Sequence, residues 1–273
     1  MATSKDLYAH VKATLAHAGA PEPDAKARII VAEALGIGLG DIFRLTHVDA
    51  DAAALIESMV QRCAAGEPVE YVTGKAYFRH LELLVSPDVL IPRQETELVA
   101  QEAIDFIHEN GYKNALDICT GSGCIAISLQ TESKIQVDAC DISEAALFMA
   151  CRNAEKNGAN IRFFLSDMFS AVADAYDIIV CNPPYVSDIE YEKLDTGVLF
   201  EPKLALTAGD GLDFYRIIAT GSMQFIAPGG ALVLEIGADQ GEDVTVLLQT
   251  NGFRDVTIKK DYAGRDRIVS ARR

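Results

Sequence analysis

Four consecutive residues, Asn182, Pro183, Pro184 and Tyr185, follow the short apolar run Tyr176-Asp177-Ile178-Ile179-Val180-Cys181. A β-branched run that stops at an Asn and two prolines predicts a buried strand with an abrupt end. The prolines carry no N–H, so the stretch offers carbonyl oxygens with few local donors. In an open α/β sheet, ligands bind just past the carboxyl ends of the strands. An Asn side chain, a proline carbonyl and an aromatic face placed there form a flat, acceptor-rich cup, suited to a planar group that carries an NH2. The plainer reading of the same four residues is a rigid loop with Tyr185 packed on the core, so the rest of the chain has to decide.

A second segment, Asp117-Ile118-Cys119-Thr120-Gly121-Ser122-Gly123, predicts a strand-to-helix turn. Its two glycines let the backbone approach a ligand closely, and the helix start supplies unpaired N–H groups. A dinucleotide fingerprint needs a third glycine where Ala126 stands, and no Lys is present for a P-loop, so phosphate binding is disfavoured. The next apolar run ends in Val137-Asp138-Ala139-Cys140-Asp141. An acidic residue roughly twenty positions beyond a glycine turn can accept both hydroxyls of a ribose. Asp141 could instead cap the helix that follows, although Ser143 fills that role better. A third run ends in Ser166-Asp167-Met168-Phe169, where Asp167 and Met168 could take an adenine edge and face. Together these residues describe one nucleoside lying across the edge of a sheet. A nucleoside pocket without a phosphate clamp, beside a cup for an NH2 group, predicts S-adenosylmethionine and methyl transfer to nitrogen. No histidine follows His108, which disfavours His-based acid/base or metal chemistry in this part, and no metal site is expected.

The elements that must position these residues are legible as periodicities. Strands are predicted at Ala115 to Cys119, Ile135 to Cys140, Ile161 to Leu165, Asp177 to Cys181 and Ala231 to Ile236, with helices at Glu95 to His108 and at about 123–130, 143–157, 211–226 and 239–250. Val256 to Lys259 and Arg267 to Ser270 predict a terminal hairpin. The alternation predicts an α/β fold, a doubly wound and mostly parallel seven-stranded sheet, with a small helical N-terminal domain. In that domain Leu7, Val11 and Leu15, then Ile29, Ile30, Ala34 and Leu35, then Leu55, Ile56, Met59 and Val60 form three helical apolar faces, with Asp49 or Asp51 capping the third. Residues 1–75 are expected to be a helical bundle that docks substrate, 76–90 a β-hairpin connector, and 91–273 the catalytic domain.

Composition narrows the partners. Lys and Arg number 24 against 40 Asp and Glu, a formal charge of −16, with 7 basic and 10 acidic residues in positions 1–75. Nucleic-acid binders neutralise phosphates with basic stripes, so direct nucleic-acid binding is not expected. A protein partner with basic character is easier to accommodate. The six cysteines form no Cys-x-x-Cys pair and are read as reduced, mostly buried thiols. No apolar stretch is long enough to span a membrane and the chain start lacks a signal-peptide pattern, so a cytoplasmic, soluble monomer without membrane contact is expected.

With these motifs assembled, the chain resembles the class I methyltransferases that modify amide or exocyclic amino nitrogens, and among them the peptide release factor N5-glutamine methyltransferases. Leu90-Ile91-Pro92-Arg93-Gln94-Glu95-Thr96-Glu97, Phe200-Glu201-Pro202, the Asp261 to Arg267 turn and the helical region ending in Gly66-Glu67-Pro68 are similar to that family's segments. The resemblance implies N5-methylation of the glutamine in the Gly-Gly-Gln motif of class 1 peptide chain release factors, with S-adenosylmethionine as donor. It implies that Cys119, Thr120, Gly121, Ser122 and Gly123 border the methionine moiety, that Asp141 holds the ribose, and that Asp167 and Met168 border the adenine, with Asn182 at the cofactor as well. It implies that Asn182, Pro183, Pro184 and Tyr185 bind the substrate amide, with Asn182, Pro183 and Tyr185 catalytic. Met168 stands where some relatives carry an aromatic residue, and Leu199 where Arg is frequent. Two related readings use the same cup: a glutamine methyltransferase acting on a ribosomal protein, and a nucleic-acid amino-methyltransferase. A non-catalytic nucleoside-binding protein of this fold is the reading from a different class.

Overall fold

The computed structural model describes residues 3–44 and 47–273. They fall into two units, one comprising the chain up to Lys75 with Asp195–Phe200, the other Ala76–Leu194 with Glu201–Arg273. The first contains helices α1 (Ser4–His17), α2 (Pro23–Leu35), α3 (Ala50–Ala64) and α4 (Val69–Thr73). Helix α1 starts in a capping box, in which the Thr3 side chain accepts from the Asp6 N–H and the Asp6 carboxylate accepts from the Thr3 N–H. Asp49 caps α3 through the Ala52 N–H. Val11, Leu15, Ile30, Ile56, Met59 and Val60 are buried together. Leu55 departs from expectation, since it is 46% exposed while Cys63 is buried in its stead. Positions 56, 59, 60 and 63 keep the 3- and 4-residue spacing of one face, and Leu55 falls outside that stripe.

From the last residue of the first unit onward, β1 (Lys75–Phe78) and β2 (Leu81–Leu84) make a two-stranded hairpin whose turn places Arg79 at φ +52°. There the Arg79 N–H donates to Glu97 at 2.8 Å and its guanidinium pairs with Glu132 at 2.6 Å. The remaining elements are α5 (Gln94–Asn110), β3 (Asn114–Ile118), α6 (Cys124–Ser133), β4 (Gln136–Asp141), α7 (Glu144–Lys156), β5 (Arg162–Leu165), β6 (Tyr176–Cys181), α8 (Asp188–Tyr191), α9 (Asp213–Gly221), β7 (Ile226–Glu235), α10 (Gly241–Thr250), β8 (Arg254–Lys260) and β9 (Asp266–Arg272). Seven strands form one sheet in the order β5-β4-β3-β6-β7-β9-β8, parallel except for β9, which runs antiparallel to both neighbours. Successive strand residues serve opposite faces. Ala115, Val137, Ile178, Val180 and Val233 join one apolar layer, and Leu116, Ile118, Ile179, Cys181 and Leu234 the other. Burial of both faces explains why these strands read as continuous apolar runs. Helix α9 is shorter than the apolar pattern suggested: it ends at Gly221, where an added Cβ would lie 2.7 Å from the Phe169 ring, and a 3-10 turn at Ser222–Gln224 leads into β7.

The register fixes which residues emerge together. Ile118 of β3 pairs with Cys181 of β6, Cys181 with Leu234 of β7, and Glu235 with Ile268 of β9. Cys119, Asn182 and Glu235 therefore leave the sheet in one row with Ile268, and Arg267 stands one residue further along β9. The strand order reverses between β3 and β6, which opens the crevice at that row. This register depends on a close approach at Gly230, where a Cβ would sit 2.5 Å from the Asp177 carbonyl oxygen and 2.9 Å from that of Ala227. Backbone atoms cannot swing aside, so Gly230→Ala is expected to cost about 1–3 kcal/mol. Calorimetry should then show a melting temperature lower by roughly 2–12 °C, and an unchanged midpoint would refute the close-approach role. No helix among the described residues is long and apolar enough to cross a membrane.

Candidate active site

A cleft lies at the switch point of the sheet. Its wall is made by Cys119, Thr120, Gly121 and Ser122 after β3, Asp141 after β4, Asp167 and Met168 after β5, and Asn182 and Pro184 after β6. Arg93 and Thr96 at the start of α5, and Pro202, Leu204 and Ala205 from the loop before α9, complete it. Nine of the residues expected at the site thus border one cavity, while Gly123, Pro183 and Tyr185 do not line it. Gly123, at φ +82°, is the residue before α6, and a Cβ there would come within 3.2 Å of Ala150 and Ile127. It serves helix packing. Pro183 is buried and its carbonyl oxygen accepts no hydrogen bond from the described residues.

The glycine turn is pinned from beneath. Thr120 donates its hydroxyl to Asp117 Oδ2 at 2.6 Å, and the Ala126 N–H in α6 donates to the same oxygen at 3.2 Å. Asp117 is fully buried with Oδ1 unpartnered, and burial pushes its carboxyl up to about 7. Cys119 and Gly121 adopt φ of +60° and +54°. A Cβ on Gly121 would meet nothing within 4 Å, so this backbone faces open space.

Asp141 braces the two turns beside it, while the cap of α7 is Ser143. Its Oδ2 accepts from the Gly121 N–H and its Oδ1 from the Ser143 N–H, each at 2.9 Å. Ser143 caps α7 through the Ala146 N–H. A carboxylate oxygen has two lone pairs, so each oxygen of Asp141 retains one, and the residue borders the cleft. Two adjacent acceptors fit a pair of vicinal hydroxyls. Desolvation raises the Asp141 carboxyl above the ordinary aspartate value, opposed chiefly by the backbone N–H groups of Ser143 and Gly121. Ser166 holds the following turn by donating to the Met168 carbonyl at 2.8 Å, which leaves the exposed Asp167 and the buried Met168 side by side at φ +47° for the latter. The Met168 sulfur lies 3.9 Å from that of Cys119. Sulfur atoms set between the carboxylates of Asp141 and Asp167 suit a nucleoside.

Asn182 is held at its amide edge. Its Nδ2 donates to Thr96 Oγ1 at 3.3 Å, and Thr96 Oγ1 donates to Glu235 Oε2 at 2.6 Å. Asn182 Oδ1 accepts from none of the described residues. Tyr185 does not line the cavity; its hydroxyl donates to Glu235 Oε1 at 3.3 Å, while Arg267 Nη1 donates to that hydroxyl at 3.3 Å. Two further anchors sit beside this group. Glu201 accepts from the Ile91 N–H at 3.1 Å and pairs with Arg93, which fastens the loop carrying Pro202 to the start of α5. Asp261 accepts from the Ala263 and Arg265 N–H groups and holds Arg265, shaping the turn from which Arg267 departs. Sequence reasoning assigned no role to Thr96, Glu235, Glu201 or Arg267. A signal existed for Glu235, the single acid in the run Ala231-Leu232-Val233-Leu234-Glu235-Ile236.

Comparison with known proteins gives concordant matches. The family model described as "Methyltransferase small domain" matches residues 97–209, and "PrmC N-terminal domain" matches residues 6–74. A release factor glutamine methyltransferase of Bacteroides thetaiotaomicron is 39% identical over 279 residues, covering 98% of this chain and 99% of that protein. One of Cereibacter sphaeroides is 40% identical over 268 residues, covering 94% of each. Among solved structures, a methyltransferase from Pyrococcus furiosus superposes with a TM-score of 0.53 at 18% identity, covering 82% of this chain and 98% of that one, a likeness of fold.

Proposed function

The chain belongs to the release factor glutamine methyltransferase family, and on that premise we propose that Asn182 and Pro183 receive the side-chain amide of the acceptor glutamine. The activity is S-adenosylmethionine-dependent N5-methylation of a protein glutamine, and its substrates are class 1 peptide release factors, at their Gly-Gly-Gln motif. The observation that carries the site assignment is the unpaired Asn182 Oδ1 at the switch point, next to the glycine turn. The Cys119 to Ser122 turn, Asp141, and Asp167 with Met168 would hold the methionine, ribose and adenine parts of the donor.

A primary amide nitrogen is a weak nucleophile, because its lone pair is delocalised into the carbonyl. Asn182 Oδ1 and the Pro183 carbonyl oxygen each accept one N–H of the glutamine, which fixes the nitrogen and favours a geometry in which its lone pair faces the cleft. Positioning of this kind can supply up to about 7–11 kcal/mol of a barrier. When bound, S-adenosylmethionine supplies a methyl group on a sulfonium, a strong electrophile with a neutral leaving group. The same two acceptors hold the remaining protons as the nitrogen loses its lone pair. One proton departs to solvent afterwards, so no strong base is needed at the site. Pro184 walls the cavity, and Tyr185 supports the loop from behind.

The helical unit is the proposed docking surface for the release factor, residues 76–90 its link to the catalytic unit. The acidic charge supports a protein acceptor without direct nucleic-acid contact, and the proposed form of the enzyme is a cytoplasmic monomer. Incubation with labelled S-adenosylmethionine, a class 1 release factor, a ribosomal-protein fraction and an oligonucleotide should place label in the release factor alone, at glutamine. Label confined to the oligonucleotide or to a ribosomal protein would overturn this reading.

A further inference from the structure

We infer that Thr96 and Glu235 are positioning residues that fix which edge of the Asn182 amide faces the substrate. The inference rests on the reading of Asn182 as the amide acceptor and concerns how that acceptor is kept in one orientation. An Asn amide is nearly symmetric in shape, and a half-turn exchanges oxygen for NH2. In one orientation it accepts from the substrate NH2, and in the other it opposes that group with N–H donors. Something must hold it.

A threonine hydroxyl has a single proton. Thr96 commits it to Glu235 Oε2 at 2.6 Å, and both residues are buried, at 2% and 1% exposure. Thr96 Oγ1 therefore has only lone pairs left for Asn182, and only the NH2 edge of the amide can meet it, as the 3.3 Å contact shows. The opposite edge, Oδ1, accepts from none of the described residues, and Asn182 borders the cleft. Glu235 is itself held at its other oxygen by Tyr185, and Arg267 reaches that hydroxyl. The three links come from α5, β7 and the loop after β6, and the β6–β7 register, Cys181 with Leu234, brings Asn182 and Glu235 out side by side.

The polarity of the chain depends on the carboxylate. If Glu235 carries a proton it can donate to Thr96, which can then donate to Asn182, and the reversed amide becomes equally well bonded. Burial pushes the Glu235 carboxyl up to about 7, against the lowering effects of Thr96, Arg267 and Tyr185, while Glu95 raises it further. The groups facing it are Thr96 and Glu95 from α5, Tyr185 after β6, Arg267 from β9, the Tyr215 hydroxyl of α9 on its backbone carbonyl, and the Cys124 thiol of α6. Asp117 titrates in the same range, so a pH profile of the unaltered enzyme alone does not isolate Glu235.

The test compares the full chain with Thr96→Val, Thr96→Ser and Glu235→Gln, using a release factor and saturating S-adenosylmethionine. Valine keeps the shape of threonine without the hydroxyl, and should lower kcat about tenfold to a hundredfold. Cofactor affinity by calorimetry should stay within about threefold. Serine should restore kcat, which a loss of packing alone would not explain. In Glu235→Gln the carboxamide can donate to Thr96, so kcat should fall at least as far. The limb in kcat that rises with pH through about 7 should be lost in both Thr96→Val and Glu235→Gln, since an Asp117 limb would persist in them. Independently of turnover, the side-chain NH2 resonance of Asn182 should shift over the same pH range in the unaltered protein and not in Glu235→Gln. Unchanged kcat and an unchanged limb in Thr96→Val, with Asn182→Ala inactive, would overturn the positioning role alone. Full activity of Asn182→Ala would instead overturn the acceptor reading beneath it.

Discussion

Replacing Asn182 by alanine is expected to lower kcat by about 10³-fold, or ~4 kcal/mol, while leaving the affinity for S-adenosylmethionine within roughly threefold. The asymmetry follows from the placement of the residue. Its Oδ1 accepts from none of the described residues and its Nδ2 is committed to Thr96, so the free oxygen is available to a substrate. The groups proposed to hold the donor lie elsewhere on the cleft wall, in Asp141, the glycine turn and the Asp167-Met168 pair. Loss of an aimed hydrogen-bonding group at a reacting centre costs far more in turnover than in binding, because the interaction strengthens as the nitrogen gives up its lone pair. Asn182→Asp and Asn182→Gln sharpen the test. Aspartate brings a negative charge beside Glu235 and cannot donate to Thr96 when ionised. Glutamine keeps the chemistry but moves the acceptor by about one bond, and misplacement near 1 Å can cost about 10²-fold. Near-native kcat in Asn182→Ala at saturating cofactor would remove the residue from the reaction.

How much of this site was legible in the sequence depends on how local each relation is. Asn182 and Asp141 could be read because each ends an apolar run, and the doubly wound order converts a strand end into a place at one edge. The turn at Cys119 to Gly123 was legible for the same reason, although only the folded chain shows Gly123 spent on packing against α7 while Gly121 faces the cleft. The segment between Val186 and Leu212 has no periodicity to read. It is shaped by a capping box at Ser187 and Glu190, by the Val186 to Thr207 bridge, and by Glu201 reaching back to Ile91 and Arg93. Tyr185 shows the limit most clearly. An aromatic residue beside a substrate cup reads as a wall, yet its hydroxyl is turned to Glu235 and Arg267, which lie 50 and 82 positions away in the chain. The Thr96 to Glu235 contact spans 139 positions, and no spacing rule reaches that far. Only the alignment of β6, β7 and β9, with the start of α5 packed beside them, brings these groups together.

Asp141→Ala should produce the converse of Asn182→Ala: a dissociation constant for S-adenosylmethionine raised by about 10²- to 10³-fold, from the loss of two charge-assisted bonds, with kcat at saturating cofactor much less affected. The reasoning rests on the two lone pairs of Asp141 not used by the Gly121 and Ser143 N–H groups. Vicinal ribose hydroxyls are present in the donor and in the demethylated product alike, so affinity for S-adenosylhomocysteine should fall in parallel. The chain contains no tryptophan, which makes calorimetry or equilibrium dialysis the appropriate measurement. Because the carboxylate also braces the glycine turn, the cofactor-free protein should lose about 1–2 kcal/mol of stability, far less than would account for the loss of binding by unfolding. The pH dependence carries its own sign. Desolvation holds the Asp141 carboxyl above the ordinary value of 3.8, and only the ionised form would accept both hydroxyls. Affinity should therefore be full near neutrality and decline on acidification sooner than an ordinary aspartate would dictate, and the decline should be absent in Asp141→Ala. If Asp141→Ala bound donor and product as tightly as the unaltered protein, the ribose would have to be held by another group, and the row of strand ends would lose its nucleoside.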